Sequence, residues 1–544
     1  MSISKGRGLR DFLINLAAIA CASLLFAASF PNLLVAEGIP FLAWIAYVPV
    51  FWVISRVSLG GSVFWGALYG YAAYGLFNYW LTAFAPLAGL IVGGIYLVYF
   101  AVIFPLLKLA VILFPRRGYL FQWVIWIAYE YLRTLGFLGY PYGITGYSQW
   151  AVLPLIQIAG IFGVWGVSAL VVFPSAYLAG ALRAWPGRGD AETAPGGRRF
   201  FLREWLPGVL WVCALAAALI YGVVSPVDYA GAPTARVTLV QHNTDPWRGD
   251  IVEYRRNYQT LKRLSLEALA QDPKPDLVVW SETAFVPRIY WHTTYRDDPE
   301  SWRLVRELLD FFKEQDVPFV IGNDDARRTV AENGSWERID YNAALLYDRG
   351  ELVGQYRKMH LVPFTEHFPY KKQLPWVYET LRNADTHFWE KGHEPTVFDI
   401  RGIKFSTPIC FEDVFGYLSR EFVGNGAELI INLTNDAWSH SLPAQMQHFS
   451  MAVFRAVENR RSLVRATASG QTCGVDPNGK ILGMAEPFVE AQLTLEVPLL
   501  QVKTRYTQWG DLWARLFVAT AGIILLVGIG RRIIRSVNPR LRKN

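Results

Sequence analysis

Three reactive side chains stand where buried, strand-like runs end. Glu282 follows Asp276–Trp280 (DLVVW), Cys410 follows IKFSTPI, and Lys358 follows a hairpin strand in YRKMHLVPFTEHFP. Active sites on α/β folds gather at such strand ends. Cys410 is the candidate nucleophile, because a thiolate is reactive near neutral pH once activated. A thiol needs a base, and a partly desolvated Glu282 can take its proton. Attack on an ester or amide carbonyl creates an oxyanion, which a cationic Lys358 with a backbone N–H can stabilise. Taken singly, each residue also has a plainer reading: a buried structural Cys, or a surface charge or ion pair for Glu and Lys. A Cys–Glu–Lys set needs no metal. The eight His are dispersed, and His360 with His367 lack a ligand spacing. No Walker-type or dinucleotide-type glycine loop occurs, so no cofactor is expected.

The elements that must position these residues alternate between strand and helix. Arg236–Gln241, Asp276–Trp280, Phe319–Ile321, Gly402–Ile409, Glu428–Leu433, Arg461–Ala468 and 479–485 read as strands. Residues 252–271, 300–315 and 443–459 read as helices, the first from Leu261, Leu264 and Ala268 at helical spacing. A hairpin is expected at 342–357 around Asp348-Arg349-Gly350, and the segment after Cys410 reads as helical. Strands, helices and hairpins in this order predict layered sheets rather than one simple parallel sheet.

The rest of the chain is of another kind. Hydrophobic residues make up 53% of the sequence and charged ones 18%, but the excess is concentrated in the first 225 residues and in a short run near the C-terminus. A membrane-spanning helix needs roughly 20 mostly apolar residues. Eight candidates lie near 11–30, 38–55, 61–84, 90–114, 119–136, 154–182, 205–225 and 513–534. Three domains follow: a seven-helix transmembrane domain at 1–225, a catalytic domain at 226–512, and a C-terminal span with a basic tail at 513–544. The first run follows Lys5, Arg7 and Arg10, yet its length and the spans after it favour a retained anchor over a signal peptide. Cys21 and Cys213 lie inside apolar runs and read as packing residues.

Loop charges set the expected orientation. One set of loops carries Arg56, Arg116, Arg117, Arg183, Arg188, Arg198, Arg199 and Arg203, and the tail carries Arg531, Arg532, Arg535, Arg540, Arg542 and Lys543. The opposite loops, 31–37, 85–89 and 137–153, contain neither Lys nor Arg. Both termini are thus expected in the cytoplasm and residues 226–512 on the far side, the periplasm of a Gram-negative cell. The net charge of +7 is spread beside the apolar runs rather than gathered on one arm, which fits topology and not nucleic-acid binding. Glu130 and Arg133, near the outer end of the fifth span, are spaced to meet on one helix face. They read either as a structural ion pair or as a polar spot near a lipid headgroup pocket.

Local sequence around these residues resembles the bacterial apolipoprotein N-acyltransferases, the membrane-bound branch of the nitrilase (carbon–nitrogen hydrolase) superfamily. The resemblance is carried by Glu130-x-x-Arg133, Gly146-Tyr147-Ser148-Gln149, Gly163–Ser168, Gln241-x-Asn243, Trp280-Ser281-Glu282, Tyr356-Arg357-Lys358 with Leu361–Phe364 and Glu366, Cys410-Phe411-Glu412, Asn435–Trp438, and Arg455-Ala456-x-Glu458-x-x-Arg461. It implies a nitrilase-like α-β-β-α sandwich for the catalytic domain. It implies Glu282 as general base, Lys358 as stabiliser of the tetrahedral intermediate and Cys410 as nucleophile. Glu366 would position the lysine or cysteine, and Glu412 would support the site. Trp247 would match a tryptophan on a loop near the lipid.

Three departures stand out. Phe411 replaces the tyrosine usual after the nucleophile, Ser439-His440 replaces Phe-Gly, and Thr467-Ala468-Ser469-Gly470 replaces a Thr-Asn-Asn-Gly-like run. The implied reaction is ping-pong in the inner membrane. An acyl chain passes from the sn-1 ester of a phospholipid, phosphatidylethanolamine above all, to Cys410, and then to the α-amino group of a diacylglyceryl-cysteine on an apolipoprotein. The apolar segments Val286–Trp291 and Phe364–Trp376 would either shield the thioester from water or pack the core. Two rivals stand beside it: a membrane-anchored amidase or nitrile hydrolase using the same triad on a soluble substrate, and a non-catalytic membrane scaffold.

Overall fold

Burial on both faces explains the continuous apolar character of the central strands. In a computed structural model, which describes residues 2–84, 88–184, 196–244, 249–330, 334–383 and 386–537, the chain divides into two units. One is Met1–Ser225 with Asp511–Asn544, the other Pro226–Gly510.

The first unit is helical: α1 (Ser2–Ser29), α2 (Val48–Arg56), α3 (Leu59–Phe77), α4 (Ala88–Leu113), α5 (Gly118–Leu132), α6 (Val164–Arg183), α7 (Trp205–Val224) and the C-terminal helix Leu512–Val537. Among the described residues, Gly8–Ser29, Ala88–Leu113, Val164–Arg183, Trp205–Val224 and Leu512–Ile534 are long and apolar enough to cross a membrane. The other three expected spans are shorter or broken. The run 38–55 divides into the 3-10 turn Pro40–Trp44 and the nine-residue α2, each with a Pro in its first turn. The run 61–84 stops at Phe77, and α5 has 15 residues. The run 154–182 is interrupted at Gly163, whose φ of 64° is open to glycine and ends one helical turn before α6 begins. Close packing replaces the absent hydrophobic drive between helices in lipid. At Gly66 and Gly70 of α3 a Cβ would overlap the carbonyl oxygens of Phe100 and Tyr96 on α4.

Glu130 and Arg133 both reach the loop after α5. Glu130 accepts from the Thr145 backbone N–H at 3.0 Å and from its hydroxyl. Arg133 donates to Tyr96 Oη at 2.6 Å and to the carbonyls of Tyr140 at 2.8 Å and Tyr142 at 2.9 Å. The pair therefore fastens residues 140–145 to α5.

The second unit is built from two six-stranded sheets. Its strands are β1 (Thr234–Gln241), β2 (Leu277–Trp280), β3 (Phe319–Val330), β4 (Trp336–Asp348), β5 (Glu351–Arg357), β6 (Val397–Ile400), β7 (Ile403–Ser406), β8 (Leu429–Thr434), β9 (Ser462–Thr467), β10 (Cys473–Val475), β11 (Ile481–Met484) and β12 (Ala491–Pro498). The sheet orders are β12-β1-β2-β3-β4-β5 and β11-β10-β9-β8-β7-β6. Each has a parallel centre, β1-β2-β3 or β7-β8-β9, flanked by antiparallel strands. The sheets meet through β1 and β9, while α8 (Ile251–Leu269) and α9 (Pro299–Lys313) cover the first and α10 (Gly416–Gly424) and α11 (Leu442–Asn459) the second. This is an α-β-β-α sandwich.

Local sequence explains the helices. Asp298 caps α9 by accepting from Glu300 and Ser301 N–H, and Pro299 occupies the first turn. Leu304, Val305, Leu308, Phe311 and Phe312 then face the sheet, each burial contributing about 1.5–3 kcal/mol. Trp280, fully buried at the end of β2, packs on Phe312 and Phe319 and donates its Nε1–H to Ser265 Oγ at 2.9 Å. That anchor fixes where β2 ends, and so where Glu282 begins.

Candidate active site

Glu282 lies just past β2 and is 7% exposed. Thr283 after it has φ 47°, a left-handed conformation that β-branched residues avoid. The strain is tolerated because the strand end is gripped from below: a Cβ on Gly322 of β3 would overlap the backbone of Ser281 and Thr283. The Glu282 carboxylate collects three donors. Oε1 accepts from Asn342 Nδ2 at 2.8 Å and from Lys358 Nζ at 3.3 Å, and Oε2 accepts from the Asn435 N–H at 3.0 Å.

Lys358 follows β5 and is fully buried. Its backbone is held by Asn342 O, which accepts its N–H at 2.8 Å, and by Gly392, whose N–H donates to its carbonyl at 2.8 Å. Its Nζ lies between Glu282 Oε1 and Glu366 Oε1, the latter at 2.9 Å. Burial opposes the ammonium charge, but Glu366 and Glu282 outweigh it and hold Lys358 well above the usual lysine range. Burial likewise pushes Glu366 up, with Lys358 pulling the other way. Glu366 Oε2 also accepts from Val362 N–H at 3.0 Å.

Cys410 opens the 3-10 turn Cys410–Val414, and its own φ is 50°. A left-handed non-glycine residue at a strand end is costly and marks a position held by its surroundings. The bridge Ile409↔Leu433 extends the β7–β8 pairing up to the cysteine, and Asn432 Nδ2 donates to the Cys410 carbonyl at 3.3 Å. Burial and the Glu282 charge push the thiol well up, and Lys358 draws it down. The resting sulfur is therefore protonated and needs a base. The three candidate residues, with Glu366, converge on one electrostatic site.

Glu412 is fully buried two residues after Cys410. It accepts from the backbone N–H of Ile409 at 2.8 Å, Met359 at 2.7 Å and His360 at 2.9 Å, and from Tyr356 Oη at 2.8 Å. Burial raises it to about 7 against the pull of Ile409 and His360. Its place is between the strand end bearing Lys358 and the strand end bearing Cys410. Phe411, 7% exposed, meets Phe415 edge-on at 5.0 Å. The His360 ring lies 3.9 Å from Phe415 and its Nδ1 is 2.8 Å from Tyr417 Oη. An aromatic wall thus stands where the usual tyrosine hydroxyl is missing. His440, at the position where glycine is common, adopts φ 43°. Trp247 lies outside the described residues. In the expected covers, Phe368 is buried while Tyr370, Leu374 and Trp376 are exposed, and Ile289 packs in the core.

Sequence reasoning missed a second buried cluster beside the first. His448 of α11 places Nε2 at 2.8 Å from Asp413 Oδ1 and Nδ1 at 2.9 Å from Asp436 Oδ1. Arg465 of β9 pairs with both aspartates. Asn342, which holds Glu282, was missed too. The only sequence signal was Asp436 within Asn435–Trp438; His448 and Arg465 sit in elements that read as plain helix and strand.

Comparison with known proteins agrees with this arrangement. The carbon–nitrogen hydrolase family matches residues 236–505, and the apolipoprotein N-acyltransferase N-terminal domain matches residues 22–177. The chain is 46% identical over 520 residues to apolipoprotein N-acyltransferase 1 of Treponema denticola, covering 93% of this chain and 94% of that one. It is 46% identical over 539 residues to apolipoprotein N-acyltransferase 1 of Treponema pallidum, covering 97% of both. It is 33% identical over 544 residues to the apolipoprotein N-acyltransferase of Geobacter metallireducens, covering 96% of both. A sandwich that brings Glu282, Lys358 and Cys410 together, joined to a unit of apolar helices and matched nearly end to end, places the chain in the apolipoprotein N-acyltransferase family.

Proposed function

We propose that this protein transfers a fatty acyl chain from a phospholipid, through a Cys410 thioester, to the α-amino group of a diacylglyceryl-cysteine at the N-terminus of an apolipoprotein. The observation that carries the reading is the buried Lys358 ammonium bridged between Glu282 and Glu366 beside Cys410. In the first half-reaction Glu282 takes the thiol proton as sulfur attacks the ester carbonyl at sn-1. Lys358 stabilises the tetrahedral oxyanion. The C–O bond breaks, Glu282 returns its proton to the leaving alkoxide, and a lysophospholipid departs. In the second half-reaction the amine attacks the thioester, Glu282 accepts a proton from nitrogen, and the thiolate leaves and is reprotonated. No metal or redox partner enters the scheme.

The apolar helices fit a multi-pass membrane protein, and they suit a reaction in which both substrates are lipid-anchored. The distribution of Lys and Arg supports both termini in the cytoplasm and residues 226–512 on the periplasmic side of the inner membrane, and phosphatidylethanolamine is the donor that the family resemblance implies.

The test is intact-mass analysis of the purified protein after incubation with phosphatidylethanolamine. A fatty-acyl adduct mapped to Cys410, discharged by a diacylated lipopeptide and absent in Cys410→Ala, is the expected result. Acylation of Cys410→Ala, or turnover of soluble amides without any lipid adduct, refutes it.

A further inference from the structure

The cluster around His448 connects the two halves of the site. Asp413 lies in the same 3-10 turn as Cys410, and Asp436 adjoins Asn435, whose N–H faces Glu282. His448 comes from a third element, α11, and touches both carboxylates. The side chains of His448, Asp413 and Asp436 are at most 5% exposed. Each imidazole nitrogen faces a carboxylate oxygen, the arrangement suited to an imidazolium that donates from both, and Arg465 Nη2 stands 3.4 Å from Nδ1. The charged groups packed around it are Asp413 from the turn, Asp436 from the loop after β8, and Arg465 from β9, with the Cys473 thiol of β10 beyond Arg465. Two cations thus face two anions, which is the condition under which a buried charge set is tolerated.

We infer that His448 is a positioning residue of the acyl-transfer site: bridging Asp413 and Asp436, it locks the turn that carries Cys410 to the loop whose N–H orients Glu282. The inference rests on the assignment of Cys410 and Glu282 proposed above. Three features support it. Cys410 and Thr283 both hold left-handed backbones that relax unless over-determined. Asp413 is attached to the turn by only two intervening residues, so a shift of its carboxylate is a shift of the sulfur. The two carboxylates draw the ring up to about 9, so the bridge is intact at neutral pH and is released as pH rises through that range.

The experiment follows thioester formation alone, in single turnover, on the detergent-purified full chain with phosphatidylethanolamine micelles from pH 6 to 10. This half-reaction does not involve the acceptor amine. The variants are His448→Gln, which keeps a donor toward Asp413, His448→Asn, which keeps one toward Asp436, and Asp436→Asn, which keeps the ring. Both His448 variants are expected to acylate 10- to 100-fold more slowly at an unchanged half-saturating lipid concentration. Wild type should lose rate along an alkaline limb near pH 9. That limb should be absent in His448→Gln and displaced to lower pH in Asp436→Asn. Wild-type rates in both His448 variants, or slower rates with the limb unmoved in every variant, overturn the inference. If the His448 variants fail to fold, the limb in Asp436→Asn decides alone. Cys410→Ala is the control for the parent assignment: acylation surviving there refutes the nucleophile, whatever His448 does.

Discussion

Replacing Glu412 by Gln tests whether the nucleophile and the lysine are held together by one buried carboxylate. Its Oε1 accepts from Met359 N–H and His360 N–H, its Oε2 from Ile409 N–H, and the Tyr356 hydroxyl lies between both oxygens at 2.8 and 2.9 Å. A glutamine must turn its NH2 toward one side. The Oε2 side opposes fewer donors, so Ile409 N–H loses its acceptor and meets another N–H. An unsatisfied buried donor costs about 1–3 kcal/mol. Above pH 7, where the carboxyl is ionised, the two remaining backbone bonds fall from charge-assisted to neutral, roughly 1 kcal/mol each. The total, on the order of 3–5 kcal/mol, acts where Ile409 adjoins Cys410 and Met359 adjoins Lys358. The two strand ends then separate, and a misplacement of about 1 Å costs on the order of 100-fold in rate. Single-turnover acylation of Cys410 and thermal melting in detergent read the two consequences. Wild-type acylation together with a wild-type melting temperature in Glu412→Gln would show that the carboxylate is not the staple inferred from its hydrogen bonds.

Three further outcomes follow from the same geometry. Glu366→Gln leaves buried Lys358 with one carboxylate, and breaking such a pair costs about 3–5 kcal/mol; thioester formation should fall at least 100-fold with lipid half-saturation unchanged, measured by intact mass over time. Gly322→Ala inserts a methyl into the backbone of Ser281–Thr283, which should destabilise by about 1–3 kcal/mol and abolish acylation; a fully active variant would mean that this strand end is not rigid. His448 is drawn from 6.5 to about 9. Its folded-state pKa is raised, so its contribution of roughly 3 kcal/mol is complete below pH 6.5 and is lost as pH climbs through 9. Chemical denaturation between pH 6.5 and 9.5 should show that slope in wild type and not in His448→Gln.

Much of the site was legible because parallel strands buried on both faces write themselves as apolar runs, and chemistry stands at their ends. DLVVW, IKFSTPI and the hairpin before Lys358 announced Glu282, Cys410 and Lys358 in that way. The His448 cluster left no such mark. Its members come from four elements spread over residues 413–465, and α11 is buried along its whole length from Pro443 to Asn459, so periodicity gave no face to His448. Strand β12 is absent from the sequence reading although Gln492, Thr494 and Glu496 alternate with apolar neighbours as in a half-buried strand, and it pairs with β1 across eight residues. In the helical unit, hydropathy averaged over breaks that single residues impose. Pro40, Pro49 and Gly163 divide runs that length alone reads as continuous spans.

On the proposed assignment, two glutamates on one lysine fit what happens to charge during the reaction. At rest Glu282 and Glu366 are both available to the buried Lys358 ammonium. When Glu282 accepts the thiol proton it becomes neutral, and a lysine with no exposed surface would then lack its counterion at the moment the oxyanion forms. Desolvation would favour loss of the ammonium proton. Glu366, which never receives the nucleophile's proton in this scheme, keeps Lys358 charged through that step. Among the described residues two of the three Nζ–H donors are engaged by carboxylates, and the third is left for the oxyanion. On that assignment the second glutamate is required by the chemistry of the first. It follows that losing Glu366 should slow the formation and the discharge of the thioester alike, since the same oxyanion problem arises twice.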